Sequence, residues 1–335
     1  MAPDCDLVMC GLGDNLSQTS IANSVKYIAN YAKTQGKPCV ISISLGSNMG
    51  PHDGSSYICR AYDQVATQYG AVILLSSGNE GDAYGYAKKA LSSASDAFAI
   101  IHETSTGAAN VGGSSYYGAA YMDIWGRTND QLKLKVLVVN RNTGAIVYTS
   151  DEITSSTTLN SFGTWFNSSS NVEISFSSSN NRKNIFIHPT MTGAKNSNYR
   201  LAYIVTSAAG NTIDAWCEGG SASRIGISGN ISGYTLSLGQ QDGTMSDDIC
   251  GSKTISVGAM ASRTSYNGYY NVNDVAYFSS FGTDVKGANH PYITAPGHVV
   301  ISSLNGYDSY NSQYGTSYSV SYNGRTHKWG EMSGT

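Results

Sequence analysis

Charge is scarce in this sequence. Twenty Lys and Arg stand against 23 Asp and Glu in 335 residues, a formal net charge of −3. So even a balance excludes the basic stripe with which a nucleic-acid binder neutralises phosphates. No apolar run approaches the roughly 18–20 residues needed to cross a bilayer, so no membrane span is expected. Met1-Ala2-Pro3-Asp4 shows no positive segment followed by an apolar one, so no signal peptide is visible there. None of the six cysteines (Cys5, Cys10, Cys39, Cys59, Cys217, Cys250) belongs to a C-x-x-C pair. That removes the usual spacing of zinc and thioredoxin-type sites. Glu103, Asp123 and Asp130 fit no calcium-loop spacing. No metal and no cofactor are assigned.

What the chain has in quantity is glycine, serine and tyrosine: 37 Gly and 24 Tyr with few charges. That composition suggests an exported protein (secreted, cell-surface or periplasmic) more than a cytosolic helical one. Cys39 at a strand start and Cys59 on a helix face read as buried thiols, and a Cys5–Cys10 disulfide stays open.

The stretch that organises the rest is 71–81, AVILLSSGNEG. Five unbroken apolar residues predict a strand covered on both faces of a parallel sheet. It runs into a turn holding Gly78, Asn79 and Gly81, where backbone can be approached closely. Ligands of open α/β sheets bind past the carboxyl ends of strands. An Asn amide there can donate to a developing negative charge.

Before it, residues 2–9 read as a short strand and Thr19 or Ser20 as a helix N-cap. Ile21, Val25, Ile28 and Ala32 recur at helical spacing and Gly36 ends the helix. A strand over 40–45, a helix with Ile58, Ala61, Val65 and Tyr69 on one face, and Gly70 complete a β-α-β-α-β order. Such alternation predicts a parallel sheet with right-handed crossovers. From 84 to 240 the helical pattern disappears. Short β-rich runs replace it at 97–102, 121–125, 132–140, 145–148, 172–176, 184–188, 200–206 and 235–238, with polar turns between them. That predicts a β-sandwich or jelly roll. The Ser/Thr/Asn-rich segments 154–158, 167–171 and 177–181 read as solvated hairpin loops, and Trp216 as core. After 242 a buried strand over 254–259, then 275–282, 292–297 and 299–302, restore the α/β pattern.

Several of these segments carry a resemblance. Ser77-Gly78-Asn79-Glu80-Gly81 is similar to the (A/S)-G-N-x-G motif of the subtilisin-like serine peptidases. In the same order, Ser44-Leu45-Gly46 resembles that family's S-x-G and 255–259 its I-x-V-G-A. Residues 278–282 resemble its F-S-S-x-G, Ala295-Pro296-Gly297 its A-P-G, and Ser333-Gly334-Thr335 the approach to G-T-S-M-A. The resemblance covers about the first 81 and last 90 residues. It implies a serine endopeptidase hydrolysing peptide bonds through an acyl-enzyme. Asn79 would be the oxyanion donor, and Ser44, Leu45, Gly46, Ser77 and Gly78 the substrate-binding walls. A peptide or protein substrate follows.

The family's D-[ST]-G and H-G-T-H motifs occur at no matching place, and its serine would follow Thr335. The expectation is therefore an inactive segment of a longer enzyme: α/β, an incomplete parallel-sheet core (1–83 and 242–335) interrupted by an all-β insertion (84–241). The second 84–241 expectation is similarity to clostridial germination-type subtilases, which carry a jelly roll there. A rival reading is a non-catalytic protein- or glycan-binding module on the same scaffold. Glu80 is either a solvated turn acid or an acid at the pocket rim that favours basic side chains.

Overall fold

The computed structural model describes residues 4–12, 16–104, 121–140, 142–160, 162–166, 170–190, 199–218, 223–262, 271–304 and 316–335. The cap of helix α1 (Gln18–Thr34) lies two or three residues before the expected Thr19 or Ser20. Ser17 is its N-cap, and Ser20 closes a reciprocal capping box with it. Both hydroxyls satisfy backbone N–H groups that have no partner inside a first helical turn. Helix α2 (Tyr57–Tyr69) is capped by Ser56 and stops at Gly70, which is left-handed at φ 65°. The two helices pack on each other and on one face of a four-stranded, wholly parallel sheet. Its spatial order is Val40–Ile43, Val72–Ser76, Thr254–Ala261, Ile293–His298.

Two expectations fail in this layer. Residues 6–10 carry no ladder, and Leu7 and Met9 are 84% and 91% exposed. An extended segment without a strand beside it has no hydrogen bonds to make it one; residues 1–3 lie outside the described residues. The strand Val72–Ser76 is also not covered on both faces. Ile73 and Leu75 are buried under α1 and α2, whereas Val72 is 44% exposed. Its register partner Val40 is exposed on the same face.

The strands between 84 and 226 form two antiparallel sheets. One runs Tyr86–Ala90, Thr212–Glu218, Tyr121–Gly126, Arg182–Thr190, Asn171–Ser179, Thr157–Leu159. The other runs Ser223–Ile225, Phe98–Thr104, Tyr199–Thr206, Lys133–Asn140, Ile146–Thr149. They face each other across one core. Met122, Ile124, Ile185 and Ile213 of the first pack with Phe98, Val136, Leu201 and Tyr203 of the second. Thr157 and Thr158, in the expected loop 154–158, belong to the strand Thr157–Leu159, and residues 177–179 of the expected loop 177–181 belong to the strand Asn171–Ser179. The run 235–238 was expected to be strand and makes only an isolated bridge, Leu236 to Ala99. Asn180 and Asn181, with φ 48° and 59°, form the tight turn of the longest hairpin. Residues 167–169 of another expected loop lie outside the described residues.

A polar seam joins the antiparallel sheets to the loops of the parallel layer. Arg182 donates to Gly126 O at 3.0 Å and reaches Asp53 Oδ2 at 3.2 Å. Asp123 accepts from Gly50 N at 2.8 Å. The His52 ring stacks on Trp216 at 3.9 Å, and the Trp216 indole N–H donates to Gly243 O at 2.9 Å. Trp216 is therefore core, as its sequence context suggested. A small antiparallel sheet of Val300–Leu304, Arg325–Met332 and Thr316–Tyr322 leads to the terminal segment. All six cysteines are free thiols, Cys5 and Cys10 included.

Candidate active site

Parallel strands send their following loops out at one edge. The loop after Val40–Ile43 and the loop after Val72–Ser76 therefore lie side by side. They line a pocket of about 120 Å³ with Ser44, Leu45, Gly46, Ser76, Gly78 and Asn79. Ser246, Glu218 and Thr335 complete it. The expected wall residues thus meet in space, with one exception. Ser77 is fully buried, its N–H donates to Val257 O at 2.9 Å, and its carbonyl accepts from Ser246 N at 2.9 Å. Alternation along an extended chain turns Ser77 inward, so Ser76 and Gly78 line the pocket instead.

Gly78 has φ +111°. A Cβ there would sit 2.7 Å from Glu80 Oε2 and 2.9 Å from Ser280 Oγ. Only glycine fits a backbone with that φ and so little space. The Phe-Ser-Ser segment fastens the loop from behind. Ser280 N donates to Gly78 O at 2.9 Å, Gly81 N to Phe278 O at 2.8 Å, and Glu80 N to Ser280 Oγ at 2.9 Å.

Asn79 meets the end of the chain. The Thr335 N–H donates to Asn79 Oδ1 at 2.9 Å, and the Thr335 hydroxyl does so at 3.2 Å. Gly78 N donates to Thr335 Oγ1 at 3.2 Å. A backbone N–H can only donate, so the amide oxygen must face Thr335, and the NH₂ end is left as the donor. The terminal segment is held from its other side too. Gly334 N donates to Gly297 O at 2.8 Å, and the Ser333 hydroxyl accepts from Val299 N at 3.0 Å. Ala295-Pro296-Gly297 thereby positions the residues that Asn79 grips.

Two carboxylates line this pocket. Glu80 folds back on its own loop, accepting from Asn79 N at 2.7 Å. Burial raises its carboxyl above the ordinary value, opposed by the Asn79 and Ser280 hydrogen bonds, with Glu218 adding to the rise. It braces the loop and also lines the pocket, so it is not the freely solvated acid of the first sequence reading. Glu218 ends a strand of the six-stranded antiparallel sheet and accepts from the Ser47 hydroxyl and, at 3.2 Å, from Asn48 N. Sequence reasoning missed it, along with Ser47, Asn48 and Ser246. No motif marks Glu218 or Ser246, because they reach the pocket through the packing of the sheets, whereas Ser47 and Asn48 simply continue the loop begun by Ser44-Leu45-Gly46.

Residues 133–322, more than half of the chain, match the model of the Subtilase family. The chain belongs to the subtilase family. The match spans the later parallel-sheet segments and much of the antiparallel region. A solved structure of the Clostridium perfringens CspB protease superposes with a TM-score of 0.60 at 16% identity, covering 95% of this chain and 57% of that one. The subtilase chain described here therefore spans just over half the length of that neighbour, and the likeness is one of fold. A search of curated proteins found no match.

Proposed function

We propose that this subtilase segment supplies the oxyanion donor and substrate pocket of an exported bacterial serine endopeptidase. The nucleophile, general base and orienting acid come from sequence outside residues 1–335. The observation that carries the reading is the Thr335–Asn79 contact: with the amide oxygen engaged by the Thr335 N–H, the NH₂ is left as a donor that an oxyanion formed beside the terminal segment would use. Preorganised donors of this kind stabilise the tetrahedral oxyanion on the way to an acyl-enzyme. The apolar face of the parallel sheet, with Val40, Val72 and Ile293 all exposed, is what a further layer of the same enzyme would cover.

In this reading 1–83 and 242–335 are the parallel-sheet core, and 84–241 is an inserted jelly roll. What supports the jelly roll is the strand order. In both antiparallel sheets early strands lie between late ones: Tyr121–Gly126 between Thr212–Glu218 and Arg182–Thr190, and Phe98–Thr104 between Ser223–Ile225 and Tyr199–Thr206. The insertion also shapes specificity. Glu218 brings a second carboxylate, beside Glu80, to a pocket otherwise lined by Leu45 and by small or polar groups, which favours a Lys or Arg side chain of the substrate. A serine-directed phosphonate tests the proposal. It should label the protein extended at both ends and leave residues 1–335 alone unlabelled. In the extended protein, Asn79→Ala should lower turnover roughly 10²–10³-fold. Labelling of the 335-residue chain, or an Asn79→Ala enzyme with unchanged turnover, refutes it.

A further inference from the structure

Three side chains outside the pocket converge in the interior. Cys250 ends the 3₁₀ turn Asp247–Cys250, four residues past the pocket residue Ser246. Asp284 directly follows the strand Gly282–Thr283, and His290 ends its antiparallel partner Asn289–His290. One ligating atom of each lies within 4.8 Å of those of the other two, and all three residues are buried.

The rest of each side chain is already committed. His290 Nδ1 lies 3.0 Å from Ser256 Oγ, and Asp284 Oδ1 accepts from Ala288 N at 2.8 Å. The Cys250 thiol makes only a long 3.9 Å contact with Ser246 O. What remains is His290 Nε2, which has no hydrogen-bond partner although its side chain is 1% exposed. It stands 3.8 Å from Asp284 Oδ2, too far for a hydrogen bond. A buried imidazole nitrogen left in this way calls for a partner.

We propose that Cys250, Asp284 and His290 bind a divalent cation of the zinc type. The donor set of thiolate, carboxylate and imidazole suits zinc and not calcium or magnesium. The 3.8 Å separation is close to the edge of a tetrahedron whose bonds run about 2.0–2.3 Å. Ser256 Oγ can accept from Nδ1–H, which fixes the tautomer whose Nε2 lone pair faces the metal. On binding, the thiol proton leaves to solvent and nothing is oxidised or reduced. Burial holds the Cys250 thiol well above its ordinary value, with Asp247 adding to that. One divalent charge offsets the thiolate and the carboxylate together, which lets both stay ionised in the interior. Bound there, the cation would pin the turn that carries Ser246 to the hairpin preceding the strand Ile293–His298. The inference stands whether or not the longer protein cleaves peptides.

Cobalt(II) added to the chelator-treated chain provides the test. We expect a thiolate-to-cobalt charge-transfer band that saturates at a single equivalent, is displaced by zinc, and persists in Cys39→Ser. Cys250→Ser and His290→Ala should each abolish it. Absence of the band in the unaltered chain, or its survival in Cys250→Ser, overturns the proposal. If the Cys250→Ser chain does not fold, zinc-edge X-ray absorption of the unaltered protein decides. A single sulfur scatterer among nitrogen and oxygen ligands supports the site, and a shell with no sulfur or with sulfur alone refutes it.

Discussion

In the paired antiparallel sheets, Phe98, Ile100, Met122 and Ile124 have apolar neighbours on the facing sheet and no exposure at all. In the parallel sheet, Ile41 and Ile73 are equally well packed, yet Val40 and Val72, one residue earlier in each strand, are 68% and 44% exposed. The first region closes its core by itself. The second buries one face and leaves the other open, while its carboxyl edge carries the pocket. The contrast teaches that stability and chemistry are divided here. The antiparallel sheets hold themselves together and lend Glu218, Asp123 and Arg182 to loops of a layer that is only half covered.

The division is sharpest if a core truncation in the closed region acts there alone. Phe98 is fully buried between the two sheets, so Phe98→Ala loses both transfer energy and packing. We expect about 3–5 kcal/mol of destabilisation. Hydrogen exchange should report it in Phe98–Thr104 and Tyr199–Thr206 and leave α1 and α2 nearly unchanged. Equal loss of protection in the helices would show that the two regions unfold as one.

The regions should also respond oppositely to pH. Burial pushes Asp247 up to about 7, and burial together with Asp247 pushes Asp248 up to about 8. A carboxyl raised in the folded state costs stability as pH climbs from the unfolded value near 4 through those figures. Burial lowers His102, in the antiparallel sheets, to about 3. That contribution is lost as pH falls from about 6.5 toward 3. We expect each effect to be on the order of 4–6 kcal/mol across its full window, with roughly half of it falling between pH 5 and 8. The antiparallel strands should weaken in acid and the turn Asp247–Cys250 in base, read by region-resolved exchange at pH 5 and 8. Asp247→Asn should flatten the alkaline limb and leave the acid limb in place.

The same division governed what could be read from the sequence. The parallel layer was legible because its helices carry 3.6-residue spacing, its Gly70 stop is a local φ requirement, and its motifs sit where strands end. The two-sided burial of 71–75 was misread because a continuous apolar run does not say what lies on each face. In the antiparallel sheets, 132–140 and 200–206 were plain from their β-branched runs. Thr157–Leu159 was not, since a polar edge strand looks like a loop until a neighbour pairs with it. At the pocket, Asn79, Ser44 and Gly46 could be found by motif. Glu218 and Ser246 could not, because their positions follow from how sheets dock, which no local pattern encodes. The cluster of Cys250, Asp284 and His290 is long-range in the same way, and its spacing matches no metal motif.

A smaller effect is expected at Gly78, where the open layer meets the pocket. Gly78→Ala places a Cβ 2.7 Å from Glu80 Oε2 in a backbone held at φ +111°. The strain should cost roughly 1–3 kcal/mol. Because the Glu80 carboxylate and the Ser280 hydroxyl share that space, the loop will relax chiefly by moving the longer Glu80 side chain. Denaturant unfolding of the chain gives the cost. A change below about 0.5 kcal/mol, the range of ordinary surface substitutions, would mean that the loop is softer than its hydrogen bonds indicate.

The smallest effect is the one that discriminates best. Val40→Thr and Val72→Thr replace a methyl by a hydroxyl on the open face of the parallel sheet, keeping β-branching and so strand preference. In residues 1–335 these side chains are largely wet, and each change should stay within about 0.5 kcal/mol. If the extended protein covers this face with a further layer, the same hydroxyl becomes buried without a partner there. The cost then rises to about 1–3 kcal/mol. Paired urea titrations of the short and extended proteins measure the difference. Equal costs in both would mean that the face stays open in the longer chain, and the half-covered layer would then be the finished architecture of this subtilase.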